Sequence, residues 1–468
     1  MTSKRSGCLM RRGAGISLLI LAACMFYSGW SKAADTGGSV TFARDIAPIF
    51  QEKCETCHRQ GTAAPMSLST YKEVRPWAKS IRERVITRSM PPWHVDRGIG
   101  IQRFENDRSL TDEQINAIVR WVDSGAPLGD IKDLPPPKQW PAGNEWQLAK
   151  IFGRPPDLVL KTAEYTMPAQ GPDVSIRRVT DVPLTEPRWV QAAETRPGTA
   201  EGLKIVHHID VALHHVDMGK SGRMGSANPA GAYAADNSNT GDEAGDLLTD
   251  WVMGRSYDIF RSNAGKPLSP GTRLNWDIHI HAAGEPINFH AELALYFYPK
   301  GETPKYHTRF MTFPAVEDSF DIPPNSTTVH QGFHVLQQPA RIETLEPHMH
   351  DRGKAMQVKA ILPDGAIKTL IYVNNYNYNW RTTYSFTEDA VPVLPKGTVI
   401  NVIAWHDNTA GNKYNPDPNQ WLGWGPRQVD EMAMVWANVT NISEEEYKRW
   451  VAENTPTKLA SGAPRPTQ

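Results

Sequence analysis

The chain changes its period once, and the change divides it. Up to residue 130, apolar residues recur at helical spacing: Val74, Trp77, Ile81 and Val85 on one face, then Ile115, Ile118, Val119 and Val122 on another. Each run opens on a capping-box pair, Thr70 with Glu73 and Thr111 with Gln114, and Gly125 stops the second. Residues 131–155 are proline-rich and read as a linker. Beyond them the helical period disappears. Short β-branched and aromatic runs, such as Lys204 to Leu213, Ala291 to Tyr298, Gln357 to Leu362 and Val399 to Trp405, alternate with turn residues. Pro363-Asp364-Gly365 between two such runs signals a hairpin. The expected fold class is therefore multidomain: a small all-α domain over 40–130, then two all-β antiparallel sandwiches over 156–303 and 304–442. Residues 217–245 read as a long loop, and 443–468 as a short helix from Ser443 to Val451 with a disordered tail.

The first 34 residues read as an export signal. Lys4, Arg5, Arg11 and Arg12 precede an apolar stretch from Ile16 to Tyr27, and Ser31-Lys32-Ala33 offers a cleavage site. Leu21-Ala22-Ala23-Cys24 also has the form of a lipobox, so cleavage and lipid anchoring at Cys24 are both open. The expected location is the periplasm or another exported compartment, with a membrane as partner only if Cys24 is lipidated. Five of the 50 basic residues lie in this segment and none of the 51 acidic ones, leaving a body of net charge −6. That excludes nucleic acid as a natural partner. Only Cys54 and Cys57 remain in the body of the chain. An exported protein is free to use disulfides, so two lone cysteines three apart are committed elsewhere.

Cys54-Glu55-Thr56-Cys57-His58 is the C-x-x-C-H pattern of c-type haem attachment. Two thioethers fix the porphyrin edge and the adjacent imidazole ligates iron. Met90, held in Met90-Pro91-Pro92-Trp93, is the expected sixth ligand, with Met66 and His94 as competitors. Residues 40–130, with the Met90 loop and the ending Trp121-Val122-Asp123-Ser124-Gly125-Ala126-Pro127, closely resemble the cytochrome c domains fused to bacterial oxidoreductases.

The β region carries a second chemistry. His348-Met349-His350 aims two imidazoles from one face of a strand, half of a metal site suited to copper, zinc, iron or nickel. His207 and His208 are adjacent, so both reach one metal only where the backbone bends or where one uses its other ring nitrogen. His279 and His281 offer a further imidazole from a neighbouring strand, and Met432 in Asp430-Glu431-Met432 a soft thioether. A His2Met set favours copper.

In order and spacing these motifs resemble the copper type II, ascorbate-dependent monooxygenases, the family of peptidylglycine α-hydroxylating monooxygenase and dopamine β-monooxygenase. Val206-His207-His208 matches the first-copper pair, and the stretch Asp277 to Gly284 the third histidine. His348 to Lys354 and Val429 to Met432 match the second copper. The resemblance implies two eight-stranded antiparallel jelly rolls facing each other across a solvent-filled cleft. His207, His208 and His279 would hold an electron-storing copper. His348, His350 and Met432 would hold the copper at which oxygen binds and a C–H bond is broken. Where the peptide-amidating branch grips its substrate, this chain has Glu346, Met434 and Trp436, so a peptide carboxylate is not expected. His281 is an extra histidine, and His214, His215, His290 and His406 have no role by this comparison.

The expectation is an exported monooxygenase with one covalent haem c and two coppers. Its partners would be oxygen, a small organic substrate and an electron donor: a periplasmic cytochrome, a quinone-linked donor or an ascorbate-like reductant. The alternative is a non-catalytic electron-transfer or copper-binding protein.

Overall fold

The helices form where the capping boxes predict. The Thr70 hydroxyl accepts the Glu73 N–H while the Glu73 carboxylate accepts that of Thr70; Thr111 and Gln114 do the same at the head of Asp112–Asp123. Gly125 ends that helix at φ +93°, a conformation suited to glycine. The structure, a computed structural model, describes residues 39–454 apart from 63, 141–144, 215–246, 317–318 and 426, with residue 214 described by its backbone alone. The expected export signal, Cys24, His215, the 217–245 loop and the tail beyond 454 lie outside the described residues. Among the described residues no helix is long and apolar enough to cross a membrane.

Phe42, Ile46, Phe50, Ile81, Ile118 and Trp121 form the helical core. The segment that follows Met90 leaves it, which corrects the reading of 40–130 as a self-contained all-α domain. Pro91 and Pro92 cannot continue a helix, and Trp93, Val95 and Phe104 are buried in the core of the second sandwich. Val95–Gly100 is a strand antiparallel to Ile367–Val373. Gly100 makes this pairing possible: at φ +82°, a Cβ there would stand 2.8 Å from the Leu370 carbonyl oxygen.

The proline-rich linker is likewise docked. Trp140 Nε1 donates to the Glu55 carboxylate at 3.3 Å, against the helical domain. Gln147–Phe152 is a helix with Leu148 fully buried, its first N–H groups accepted by Glu194 of the first sandwich at 2.9 and 2.8 Å.

The β region is antiparallel almost throughout. Leu160, Ile209, Trp276, Leu293 and Leu295 belong to one core, and Ile342, Val358, Ile371, Val402 and Val435 to another. Over the first core lie Val174–Asp181, Arg273–Ile280, Val206–His214 and Leu247–Val252, in that spatial order. Over the second lie Val95–Gly100, Ile367–Val373, Gly353–Ile361, Val399–Asp407 and Thr327–Val335. The opposite layer is one ten-stranded sheet common to both. Its seam is a short parallel pairing, Tyr306 with Ala264 and His307 with Gly265. This differs from two separate sandwiches, and it makes the described residues from Val40 onward a single compact unit. The hairpin at Pro363-Asp364-Gly365 and the helix Glu444–Asn454 are present as expected.

Candidate metal centres

Helix Ala47–Lys53 ends at Cys54, and a tight turn follows: the N–H groups of Cys57 and His58 both donate to the Cys54 carbonyl, at 3.1 and 2.9 Å. The turn presents Cys54, Cys57 and His58 together. His58 Nδ1 lies 3.1 Å from the Met66 carbonyl oxygen, which fixes the ring and leaves Nε2 for a metal. Both cysteines are free. Burial pushes the Cys54 thiol up to about 12 and raises that of Cys57. Thioether formation would remove both thiols from titration. Met66 packs against the helical core. His94 is buried beside Trp93, which packs into the second sandwich; burial and the Arg108 charge bring it down to about 4.

The His207–His208 parity problem is solved by a β-bulge. His279 pairs with His208 but Ile280 pairs with Val206, so His207 is the extra residue and swings to the side of its neighbour. The rings of His207, His208 and His279 then lie 5.2 to 5.4 Å apart centre to centre, with one nitrogen of each within 4.8 Å of the others. The Nδ1 atoms face inward: those of His207 and His208 are 3.1 Å apart, and that of His279 is buried without a partner. Outward, His207 Nε2 meets the Asn379 carbonyl oxygen at 3.1 Å and His279 Nε2 the Asp173 carboxylate at 3.5 Å. His208 Nε2 is 3.9 Å from Asp210. Burial holds all three below the usual histidine range, His207 at about 4, so the imidazoles are neutral. Crowded neutral nitrogens with outer acceptors fit a metal cation. His281 is outside the trio.

His348 and His350 lie on one face at the end of Ala340–Met349, their rings 5.3 Å apart. Between them Met349 points into the core, wholly buried. His350 Nδ1 contacts the Asp430 carbonyl oxygen at 3.1 Å, while His348 Nδ1 is buried without a partner. His348 pairs with Met434 and Met349 with Ala433, where the ladder ends; beyond it the Glu431 carboxylate accepts the N–H groups of both His350 and Met432, so the two backbones are neighbours. Met432 is 9% exposed. Trp436 stacks on His348 at 4.4 Å.

An ion bridge ties the strands that carry the two groups. Asp210, two residues from His208, and Glu346, two residues from His348, face each other across Arg381. Arg381 donates to Asp210 at 2.8 and 2.9 Å and to Glu346 at 2.8 and 2.9 Å, and the Thr383 hydroxyl closes on Glu346 at 2.6 Å. Burial opposes ionisation of Glu346, but the charge of Arg381 overrules it and keeps its pKa below the usual value. Glu346 is therefore paired with Arg381 rather than a free charge.

His290 instead bonds the Glu292 carboxylate at 3.1 Å, and His406 lies buried behind Met432, 3.4 Å from its carbonyl oxygen. Sequence reasoning missed Asp173, Asn379, Arg381 and Glu431. Alternation along a strand could have found Asp210 beside His208; nothing local marks Arg381.

Residues 42–122 match the family model described as cytochrome C oxidase, cbb3-type, subunit III. They form a c-type cytochrome domain, which implies covalently bound haem c and electron transfer through it. No curated protein matches the chain. Matching solved structures include the T13 viral particle of infectious bursal disease virus, 11% identical over 63% of this chain and 81% of that one at a TM-score of 0.16. A subviral particle of the same virus is also 11% identical, over 63% and 75%, at 0.16. Likeness at that level carries no argument about fold or function.

Proposed function

We propose that the protein is an exported haem- and copper-dependent monooxygenase that hydroxylates a C–H bond of a small organic substrate. The two sandwiches would be jelly rolls of the copper type II monooxygenase kind. Balanced, the reaction is RH + O2 + 2e⁻ + 2H⁺ → ROH + H2O, with the electrons supplied from an external donor through the cytochrome domain. The observation that supports the reading is the presence of two unlike donor sets: three clustered imidazoles on one sandwich, and on the other two imidazoles whose strand end Glu431 ties to the backbone of a methionine.

His207, His208 and His279 would hold one copper through Nδ1, and His348, His350 and Met432 the second. Bound copper supplies single-electron storage at the first set and oxygen activation at the second. The chain's own residues do the rest. Asn379 and Asp173 orient the first imidazoles, Asp430 orients His350, and Trp436 covers one face of His348. Arg381 pairs with Asp210 and Glu346 and so ties together the strands that carry the two sets. His58 and Met90 would be the side chains that ligate the haem iron. The segment after Met90 runs straight into the second sandwich, where Trp93 packs edge-on against Tyr384 at 4.8 Å. Tyr384 pairs with Leu345 on the strand of His348, so the cytochrome is tied to that sandwich by covalent chain and by core packing.

The test is the copper-to-iron ratio of protein matured with haem and supplied with copper, beside His348→Ala. About two coppers per haem, falling to about one in the variant, supports both sites. Iron without copper overturns the reading and leaves an electron-transfer protein. With both sites filled, oxygen consumption coupled to product excludes outward electron flow.

A further inference from the structure

Glu431 is wholly buried, and its ion-pair neighbour is an imidazole, His406, at 3.7 Å. Its carboxylate is committed to main-chain donors. Oε2 accepts the N–H of His350 at 2.9 Å and of Met432 at 3.2 Å, and Oε1 accepts that of Arg352 at 2.6 Å. The ladder between Ala340–Met349 and Ala433–Asn441 ends at Met349 with Ala433. Beyond that rung, Glu431 does for two turns what a carbonyl on the facing strand does for a ladder. A buried carboxylate costs several kcal/mol to desolvate, and closing a β-sheet end does not require one. What this carboxylate joins is specific: His350 and Met432 come from different strands and are both proposed ligands. Asp430, the preceding residue, holds the His350 ring at Nδ1. His406 holds the Met432 carbonyl from behind at 3.4 Å.

We propose that Glu431 is the positioning residue of the second metal site, setting the separation and orientation of the His350 imidazole and the Met432 thioether. This rests on the reading that these residues bind copper. Glutamine at 431 has one acceptor oxygen for three N–H groups and turns an amide N–H₂ toward the others. Aspartate keeps both oxygens and loses one methylene of reach. The geometry of a soft site depends on that reach, because a thioether is a weak ligand that binds only when it is already in place.

The experiment uses full-length, haem-loaded protein titrated with copper(I). It compares wild type, Glu431→Gln and Glu431→Asp by copper-to-iron ratio and by X-ray absorption for a sulfur scatterer. The imidazole trio is the internal control, and circular dichroism with the haem spectrum reports folding. The expected result is a wild type with two coppers and sulfur scattering. Glu431→Gln should keep one copper and lose the sulfur signal, with the second copper bound 10- to 100-fold more weakly, the range typical of outer-shell ligand partners. Glu431→Asp should recover part of that affinity. If Glu431→Gln does not fold, Glu431→Asp carries the test: folded protein with weakened sulfur scattering supports the proposal. A folded variant of either kind with two tightly bound coppers and unchanged sulfur scattering overturns it. A wild type that never binds the second copper overturns the monooxygenase reading, and the role of Glu431 falls with it.

Discussion

Removing Arg381 should be the most damaging single change between the sandwiches. Arg381→Met deletes a guanidinium whose side chain is 5% exposed and leaves Asp210 and Glu346 facing each other at 13% and 5%. Breaking a buried ion pair by removing one partner costs about 3–5 kcal/mol, because a charge is left buried and uncompensated. Here two carboxylates are left, with Thr383 still donating to one of them, so the upper half of that range applies. The assay is urea unfolding followed by tryptophan fluorescence. At a slope of about 3 kcal/mol/M, a loss of about 4 kcal/mol lowers the midpoint by more than about 1 M. The compensated variant Asp210→Asn, Arg381→Met, Glu346→Gln should recover most of the loss, since a neutral, well-packed replacement of a buried ionic group is often no worse than the original. A midpoint shift below about 0.3 M in the single variant, or a triple variant as unstable as the single, would refute the reasoning.

Three further outcomes are expected. Gly100→Ala forces a Cβ to within 2.8 Å of the Leu370 carbonyl oxygen at φ +82° and should cost at least about 1–2 kcal/mol in thermal unfolding, with protease cutting first near residue 100; an unchanged melting temperature contradicts the described pairing. Burial works against ionisation of Glu292, but hydrogen bonds from Lys161, Arg196 and His290 overrule it and hold its pKa at about 2, below the ordinary 4.5. A depressed folded-state pKa gives stability that is full above about 4.5 and lost as pH falls toward about 2, so the stability gap between wild type and Glu292→Gln should close over that window and stay constant from pH 5 to 8. Met90→Ala should convert the haem spectrum to one without thioether ligation while Met66→Leu does not; the reverse result moves the sixth ligand to Met66.

What the sequence made legible was local. The capping boxes, the C-x-x-C-H turn and the His-x-His strand are each set by residues within a few positions, and each stands where expected. Parity along a strand correctly flagged His207 and His208 as incompatible without a distortion, and the distortion is the bulge opposite His279. Val95–Gly100 was hidden because Val-Asp-Arg-Gly-Ile-Gly has no strand pattern of its own. It is a strand only because Ile367–Val373 offers an unpaired edge and Trp93 has a seat in the neighbouring core. The bridge between the two groups was hidden for a related reason. Arg381 sits in a turn rich in Asn and Tyr with no periodic signal, and its partners are 171 and 35 residues away. Glu431 was read as part of a motif, but its contacts to His350 and Arg352 span about 80 residues and cannot be read from spacing.

The turn that carries Arg381 also supplies Asn379, whose carbonyl receives His207. One short segment of the second sandwich therefore orients an imidazole of the first group and clamps the strands that carry both. The distance between the groups is thus a property of that turn, and cannot relax without breaking the Asp210–Arg381–Glu346 bridge. The bridge itself brings two carboxylates and one guanidinium, a surplus of negative charge, into the seam. Asp277 stands close enough to make ionisation of Asp210 harder still. Net buried negative charge is costly on its own; Arg177 pairs with Asp277 and Arg255 favours ionisation of Glu346, while burial lowers the basicity of the five surrounding imidazoles. Cations bound at the two histidine groups would supply what the protein withholds, so an arrangement expensive in the bare chain becomes favourable once metal is present.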